Sequence, residues 1–368
     1  MTRGQGMHGG PLRVQDARGT VGAVGIRSFV AGVEEVTTMK RIVTIGGGTG
    51  QYTLLSGLKT ISDLEVSAIV TMADSGGSSG VLRTERGALP PGDVFRCLLA
   101  LATAEEDVVR LFEHRFAQRQ LESYGASALD GHTIGNLALT AASEALDGDF
   151  LRGIQVLSTI LRPHGCVFPV TTERTTLCAR LSDGAELRGE HHIDRPDRVD
   201  RARITKVWLD PEVQALHAAI DAIQHADAVV VGPGDLFTSI IPNVLVRGMA
   251  EAMAATLAPV IFVVNIMTKR GETDGFSCSD FVATFEQYAN RRVDVILCNS
   301  QLPTHTLSER YIQEGARPVM PSPWDASAPD ARGRWGNTRC VSFPLLAEGS
   351  FARHDPIKLA HVVRALIP

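Results

Sequence analysis

The sequence has no apolar run long enough to cross a bilayer. Its longest, Pro259 to Met267, is broken by Asn265 and falls short of the roughly 18 residues that a spanning helix needs, so no membrane insertion is expected. No Cys-x-x-Cys pair occurs either. The six cysteines, at 97, 166, 178, 278, 298 and 340, fit neither a zinc spacing nor a compact disulfide framework, a usage expected of thiols in a reducing cytoplasm. There is no His-Glu-x-x-His pattern, and the adjacent His191 and His192 would face opposite sides of a strand, so a dedicated metal cage is not expected. Positive charge is not in excess: a net charge of −5 gives no footprint for nucleic acid or an anionic membrane. Finally, there is no Gly-x-Ser-x-Gly elbow, and sequence alone assigns no His–Asp partner to Ser78 or Ser79.

What is present describes an ordinary globular chain of 368 residues, 44% hydrophobic and 21% charged. The first 38 residues stand apart, with eight glycines and little periodicity. They read as a flexible tail or as a start assigned too early, leaving 39–368 as a single α/β domain.

From Arg41 onward the pattern is strand, glycine loop, helix, strand. Ile42 to Ile45 is a β-branched run, Leu54, Leu55 and Leu58 follow at helical spacing, and Val66 to Met72 closes a βαβ unit. A helical stretch comes next: a helix with Asp93 as its N-cap, then Val108 to Phe116, Ile134 to Leu146 and Phe150 to Leu161. From about 163 to 210 the character changes. Thr175 to Leu181 and Glu186 to His191 flank the turn signal Asp183-Gly184, and Ile204 to Leu209 is another strand, which predicts a small β-rich insertion. The α/β rhythm then returns with strands at Ala228 to Val231, Val260 to Val264 and Val293 to Leu297. Helices are predicted at Val244 to Ala255, Phe281 to Tyr288 and His354 to Leu366, and a loop from Pro318 to Arg339. This alternation predicts a doubly wound, mostly parallel, Rossmann-like sheet.

In such sheets ligands bind beyond the carboxyl ends of the strands. Four strand exits carry unusual loops. The first is Gly46-Gly47-Gly48-Thr49-Gly50, where a backbone free of side chains can approach a phosphate and the following helix offers amides and a positive dipole end. It is neither a dinucleotide fingerprint, because Gln51 takes the third glycine position, nor a Walker loop. The second is Asp74-Ser75-Gly76-Gly77-Ser78-Ser79, whose aspartate could bond a ribose hydroxyl or hold Mg²⁺ beside a diphosphate. The third is Gly232-Pro233-Gly234, followed by Asp235, Ser239 and Asn243; the fourth runs from Asn265 through Thr268, Glu272, Thr273 and Asp274. A cap role is the alternative for Asn243 and for Ser279. His132 and Asn136 open another polar helix start, His132 being the more structural of the two. Asp93 and Arg96 complete the candidate set, with Arg83, Lys269 and Arg270 as further cations.

Six motifs appear in order: Ile45-Gly46-Gly47-Gly48-Thr49-Gly50, Ala73-Asp74-Ser75-Gly76-Gly77-Ser78-Ser79-Gly80, Pro90-Pro91-Gly92-Asp93, Gly131-His132-Thr133-Ile134-Gly135-Asn136-Leu137, Gly232-Pro233-Gly234 and Gly271-Glu272-Thr273-Asp274-Gly275. Together, over about 41–317, they resemble the gluconeogenesis factor family (YvcK-like proteins), which shares its fold with 2-phospho-L-lactate transferase (CofD). The resemblance implies a cytoplasmic, dimeric protein that binds a UDP-sugar, notably UDP-N-acetylglucosamine, without a required cofactor. It also implies a role in cell shape and wall synthesis during growth on gluconeogenic carbon sources. The alternative it carries is a phospholactyl-type transferase acting from a nucleotide diphosphate donor, with Asp74 as an Mg²⁺ ligand. Three departures stand out: Ser75 replaces a second aspartate, Asp235 replaces a serine, and the last 50 or so residues do not follow the family clearly.

Overall fold

The computed structural model describes residues 39–117, 127–196, 200–321 and 338–368. Residues 1–38, read above as a tail or an early start, lie outside the described residues, as does most of the loop expected between Pro318 and Arg339. Among the described residues the main sheet has seven parallel strands: β1 (Lys40–Gly46), β2 (Leu64–Val70), β3 (Cys166–Pro169), β7 (Ala228–Val231), β8 (Val260–Val263), β9 (Val295–Asn299) and β10 (Arg339–Phe343). Between β3 and β7 come β4 (Thr176–Leu181), β5 (Glu186–Arg188) and β6 (Ile204–Asp210), which form a separate antiparallel sheet in the order β5-β4-β6. Of the stretch 163–210, Cys166–Pro169 therefore belongs to the main sheet as its edge, and the small sheet begins at Thr176.

The main sheet runs β10-β9-β8-β7-β1-β2-β3. The chain winds outward from β1 through β2 to β3, then returns to the other side of β1 and winds outward through β7, β8, β9 and β10. The direction of winding reverses between β1 and β7, the position where connections diverge and leave a crevice. In register, Ile45 of β1 lies beside Ile69 of β2 and Val231 of β7. All four residues of β7 and of β8 are buried, as continuously apolar strands covered on both faces require.

Several local readings need correction. The strand expected up to His191 stops at Arg188, and Glu190–Asp194 is a short helix, so His191 and His192 are not on opposite strand faces. The helix expected over Val244 to Ala255 starts only at Met249 (Met249–Ala255), after Gly248 at φ +96°; Val244 instead ends a short helix (Ile241–Val244) that follows a π-helical turn (Leu236–Ile240). Arg339 opens strand β10 rather than ending a loop. Ser277, not Ser279, caps the Cys278–Ala289 helix, and Asp93 sits inside its helix, one residue past the start at Gly92, so it is not the cap.

The C-terminal helix Pro356–Leu366 packs on the first helix, Gly48–Leu58, at Gly57, where a Cβ would lie 1.9 Å from the Pro356 carbonyl oxygen. In a helix interior Gly→Ala normally stabilises by about 0.5–1 kcal/mol. Backbone overlap of this size outweighs that gain, and overpacking costs about 1–3 kcal/mol. Gly57→Ala is expected to lower the unfolding free energy by about 1–2 kcal/mol, read as a lower urea midpoint at unchanged slope; a midpoint equal to or above the parent's would show that the helices separate freely.

Candidate functional site

The four exits follow β1, β2, β7 and β8, adjacent strands at the centre of the sheet, and so share one rim. At the first, Gly47 is extended and helix Gly48–Leu58 starts with neither a side-chain cap nor an acid in its first turn. Apart from the Gly48 amide, which Asp93 receives, no side chain caps its first turn, and the dipole there favours an anion. Gly48 has φ +63°, a backbone conformation that glycine adopts without strain. Gly50 meets the third exit: a Cβ on it would lie 2.2 Å from the Pro233 carbonyl oxygen. Gln51, which breaks the dinucleotide pattern, is buried and ties this helix to the sheet through Nε2 bonds to Thr44 Oγ1 (3.1 Å) and the Ile69 carbonyl (3.1 Å).

At the second exit the Asp74 carboxylate accepts from the Gly76 amide (2.9 Å) and turns the chain into helix Gly77–Arg86. Ser75 points to the insertion: its amide donates to Glu190 (3.3 Å) and its hydroxyl accepts from the His191 amide (3.0 Å). Ser79 accepts from the Gly92 amide (3.1 Å). Ser78 shares a 2.7 Å hydrogen bond with His132 Nδ1 and accepts one of 3.1 Å from Asn136, so folding supplies the imidazole partner that sequence could not assign. Asp93 receives the Gly48 amide, and its carboxyl is pushed up to about 7, first by burial and then by the charge of Asp74, against the opposing pull of Arg96. Arg96 donates to Thr49 Oγ1 (2.9 Å).

At the third exit Asn265 grips Gly234 with a pair of bonds, accepting from its amide (3.0 Å) and donating to its carbonyl (2.8 Å). The fourth exit is an ion-pair knot. The Lys269 ammonium meets Asp235 at 2.7 Å and Glu272 at 3.0 Å, and also bonds Asp194 of the insertion. Burial raises the Glu272 carboxyl while Lys269 draws it down; burial works to lower Lys269, but Glu272, Asp235 and Asp194 together outweigh it and hold the ammonium charged, well above its ordinary range.

These contacts sort the candidates. Two adjoining cavities open on the rim. The larger, about 590 Å³, is lined by Thr49, Asp74, Gly76, Gly77, Ser78, Ser79, Asp93, Arg96 and Asn136. The smaller, about 220 Å³, is lined by Gly47, Gly48, Thr49, Gly50, Pro233, Gly234, Ser239 and Asn265. Gly46, Ser75, His132, Gly232, Asn243, Thr268, Glu272, Thr273 and Asp274 line neither. Asn243 is fully buried and neither caps a helix nor faces the cleft; its Nδ2 donates to the carbonyls of Gly46 (3.1 Å) and Ser239 (2.9 Å), binding the first exit to the third. Thr268 pairs with the backbone of Arg317, Thr273 accepts from the Lys269 amide (2.9 Å) and Asp274 from the Gly271 amide (2.6 Å): they build the loop. Sequence reasoning missed Arg115 of the larger cavity and, above all, Tyr311, Arg353 and His354 of the smaller, with Arg353 bordering both. No local pattern marks these residues; the fold alone brings the C-terminal segment to the rim.

Fold and site define a Rossmann-like α/β protein with a glycine-lined cleft where its sheet reverses direction. Comparison narrows that class. Residues 42–332 match the family model described as 2-phospho-L-lactate transferase CofD. A gluconeogenesis factor of Listeria innocua is 39% identical over 333 residues, covering 90% of this chain and 97% of that one. A gluconeogenesis factor of Listeria monocytogenes is 40% identical, covering 72% and 78%. The crystal structure of a UPF0052 family member from Bacillus halodurans aligns with a TM-score of 0.79 at 34% identity, over 88% of this chain and 99% of that one. The chain belongs to the gluconeogenesis factor family, with the CofD-type fold.

Glu190 gives the site a pH signature. Burial, then the charges of Asp74 and Asp194, push its carboxyl up to about 8, against the pull of the Ser75 amide. An acid raised in the folded state favours folding fully below its unfolded pKa, near 4.3, and that contribution is lost as pH rises through about 8. Glu190→Gln keeps an acceptor for Ser75 and cannot ionise. Its stability advantage over the parent is expected to grow from pH 4.5 to pH 8 and level off above; denaturant curves showing a gap independent of pH would refute the assignment.

Proposed function

We propose that this protein binds a UDP-sugar of the UDP-N-acetylglucosamine class in the rim cleft and acts as a regulatory binding protein. Its cellular role in this reading is the support of cell shape and wall synthesis during growth on gluconeogenic carbon sources. The junction of the two cavities carries the reading. Thr49 and Arg353 border both, the glycine loop forms the floor beside them, and no carboxylate pairs with Arg353 among the described residues. A diphosphate at that junction would meet amides and an uncompensated guanidinium, with its two organic ends in the flanking cavities.

Calorimetry of the purified chain with UDP-N-acetylglucosamine is expected to give saturable binding. Arg353→Ala should weaken it about ten- to a hundredfold, the loss of a charged hydrogen bond. Gly48→Val should abolish it by placing a branched side chain at φ +63° beside the floor. No binding of any UDP-sugar at millimolar concentration would count decisively against the reading.

A second reading, a transferase using a nucleotide diphosphate donor, is favoured by one observation. Asp74 and Asp93 line the same cavity, and the charge of Asp74 raises the Asp93 carboxyl. In this reading Asp93 would supply a second carboxylate beside Asp74, and two hard oxygen donors would suit Mg²⁺ held together with substrate phosphates. The cation would neutralise charge on a departing phosphate. Asp74 would hold it while keeping its turn bond to Gly76, and Asp93 would sit ionised rather than protonated. In this reading Mg²⁺ tightens nucleotide diphosphate binding, Asp74→Asn removes the Mg²⁺ effect, and mass spectrometry detects product from a donor and a deazaflavin alcohol. Tight donor binding indifferent to Mg²⁺, without product, leaves the regulator.

A further inference from the structure

The loop that delivers Arg353 contains an aromatic residue that the core does not use. Phe351 is 44% exposed, and two guanidiniums lie against its ring, Arg310 at 4.8 Å and Arg353 at 4.7 Å from the centroid. The surrounding loop is firmly built. Leu346 and His354 form an antiparallel bridge, and the Ala347 amide donates to the Arg353 carbonyl (2.9 Å). Helix His305–Gln313 holds it from outside: Arg310 donates to the Ser350 carbonyl (3.1 Å), and the Tyr311 hydroxyl accepts from the Ala352 amide (3.2 Å). Arg310 has Glu314 as a counter-charge at 3.6 Å; Arg353 has none among the described residues.

We infer that Phe351 is a positioning residue that holds the Arg353 guanidinium at the junction of the two cavities, poised for an anionic diphosphate. An arginine side chain is long and flexible, and an unrestrained one must be ordered when ligand binds. A carboxylate would restrain it but would cancel its charge and compete with the ligand. An aromatic face restrains it through the ring quadrupole while leaving its positive charge and its N–H donors available. Arg310, paired with Glu314 and bonded to the Ser350 carbonyl, packs on the same ring and holds it in place for Arg353. The inference rests on the sugar-nucleotide reading for the ligand and adds the device that prepares the site for it.

The test compares Phe351→Leu, which fills similar space without a quadrupole, with Phe351→Trp, which retains one. In calorimetry with the full chain, Phe351→Leu is expected to weaken UDP-N-acetylglucosamine about three- to tenfold, and Phe351→Trp to stay within about twofold of the parent. In an Arg353→Ala background, Phe351→Leu should have no further effect. Equal penalties in both backgrounds, or none in either, would overturn the inference, because Phe351 would then act on the loop in general or not at all. Inorganic pyrophosphate serves as the probe for the anion alone. If it binds with the same Arg353-dependent leucine penalty while UDP-sugars fail, the positioning role stands and the sugar-nucleotide reading falls.

Discussion

The cleft depends on how closely two strand exits approach. Gly50, in the first turn after β1, lies against the Pro233 carbonyl after β7 with no room for a Cβ, and Asn243 joins the Gly46 carbonyl to that of Ser239 across the same gap. Strand order sets the geometry: β1 and β7 are hydrogen-bonded neighbours whose connections leave in opposite directions. Backbone then lies directly on backbone, so the floor of the crevice is made of amides and carbonyls. Such a floor offers fixed partial charges that need no reorganisation when an anion arrives.

The walls are acidic, and their charges are largely committed. Lys269 is surrounded by Asp194, Asp235 and Glu272, while Arg96 faces Asp93 and bonds Thr49. Asp235 is met by Lys269, so its charge does not simply oppose a phosphate at Gly234. The short helix Glu190–Asp194 of the insertion touches both acidic groups, through Glu190 at Ser75 and Asp194 at Lys269. That insertion therefore braces the second exit against the third and fourth, which accounts for a small sheet attached at this edge of the cleft.

Sequence made the floor legible and the walls obscure, for a physical reason. A β-branched run followed by glycines has a local signature, and so do the apolar strands before Gly232 and Asn265; together they located Gly47, Gly48, Gly50, Asp74, Gly234 and Asn265 at the cavities. Polar residues in the same loops carry an identical signature whether they face ligand or stitch the loop. Thr268, Thr273, Asp274 and Asn243 proved to be stitches, because each found a backbone partner within reach. Ser78 and His132, 54 residues apart, and Arg353 beside Thr49 meet only through the fold. The π-helical turn at Leu236–Ile240, which re-aims Ser239 toward the cleft, likewise leaves no trace in hydrophobic periodicity.

This division bears on how one fold serves different ligands. An amide floor recognises phosphate but cannot distinguish one phosphate ester from another, since it presents no side chains to the organic parts. The family model shared with CofD spans 42–332 and so contains the whole floor, whereas Arg353 and His354 lie beyond its end. Selectivity is then expected to reside in the C-terminal wall, mounted on a floor held in common. Fold-level kinship with a transferase thus constrains the anion site strongly and the remainder of the ligand weakly. For that reason the choice between binding protein and transferase rests on side chains at the walls, and on whether Asp74 and Asp93 act as a pair, rather than on the glycine loops that made the family recognisable.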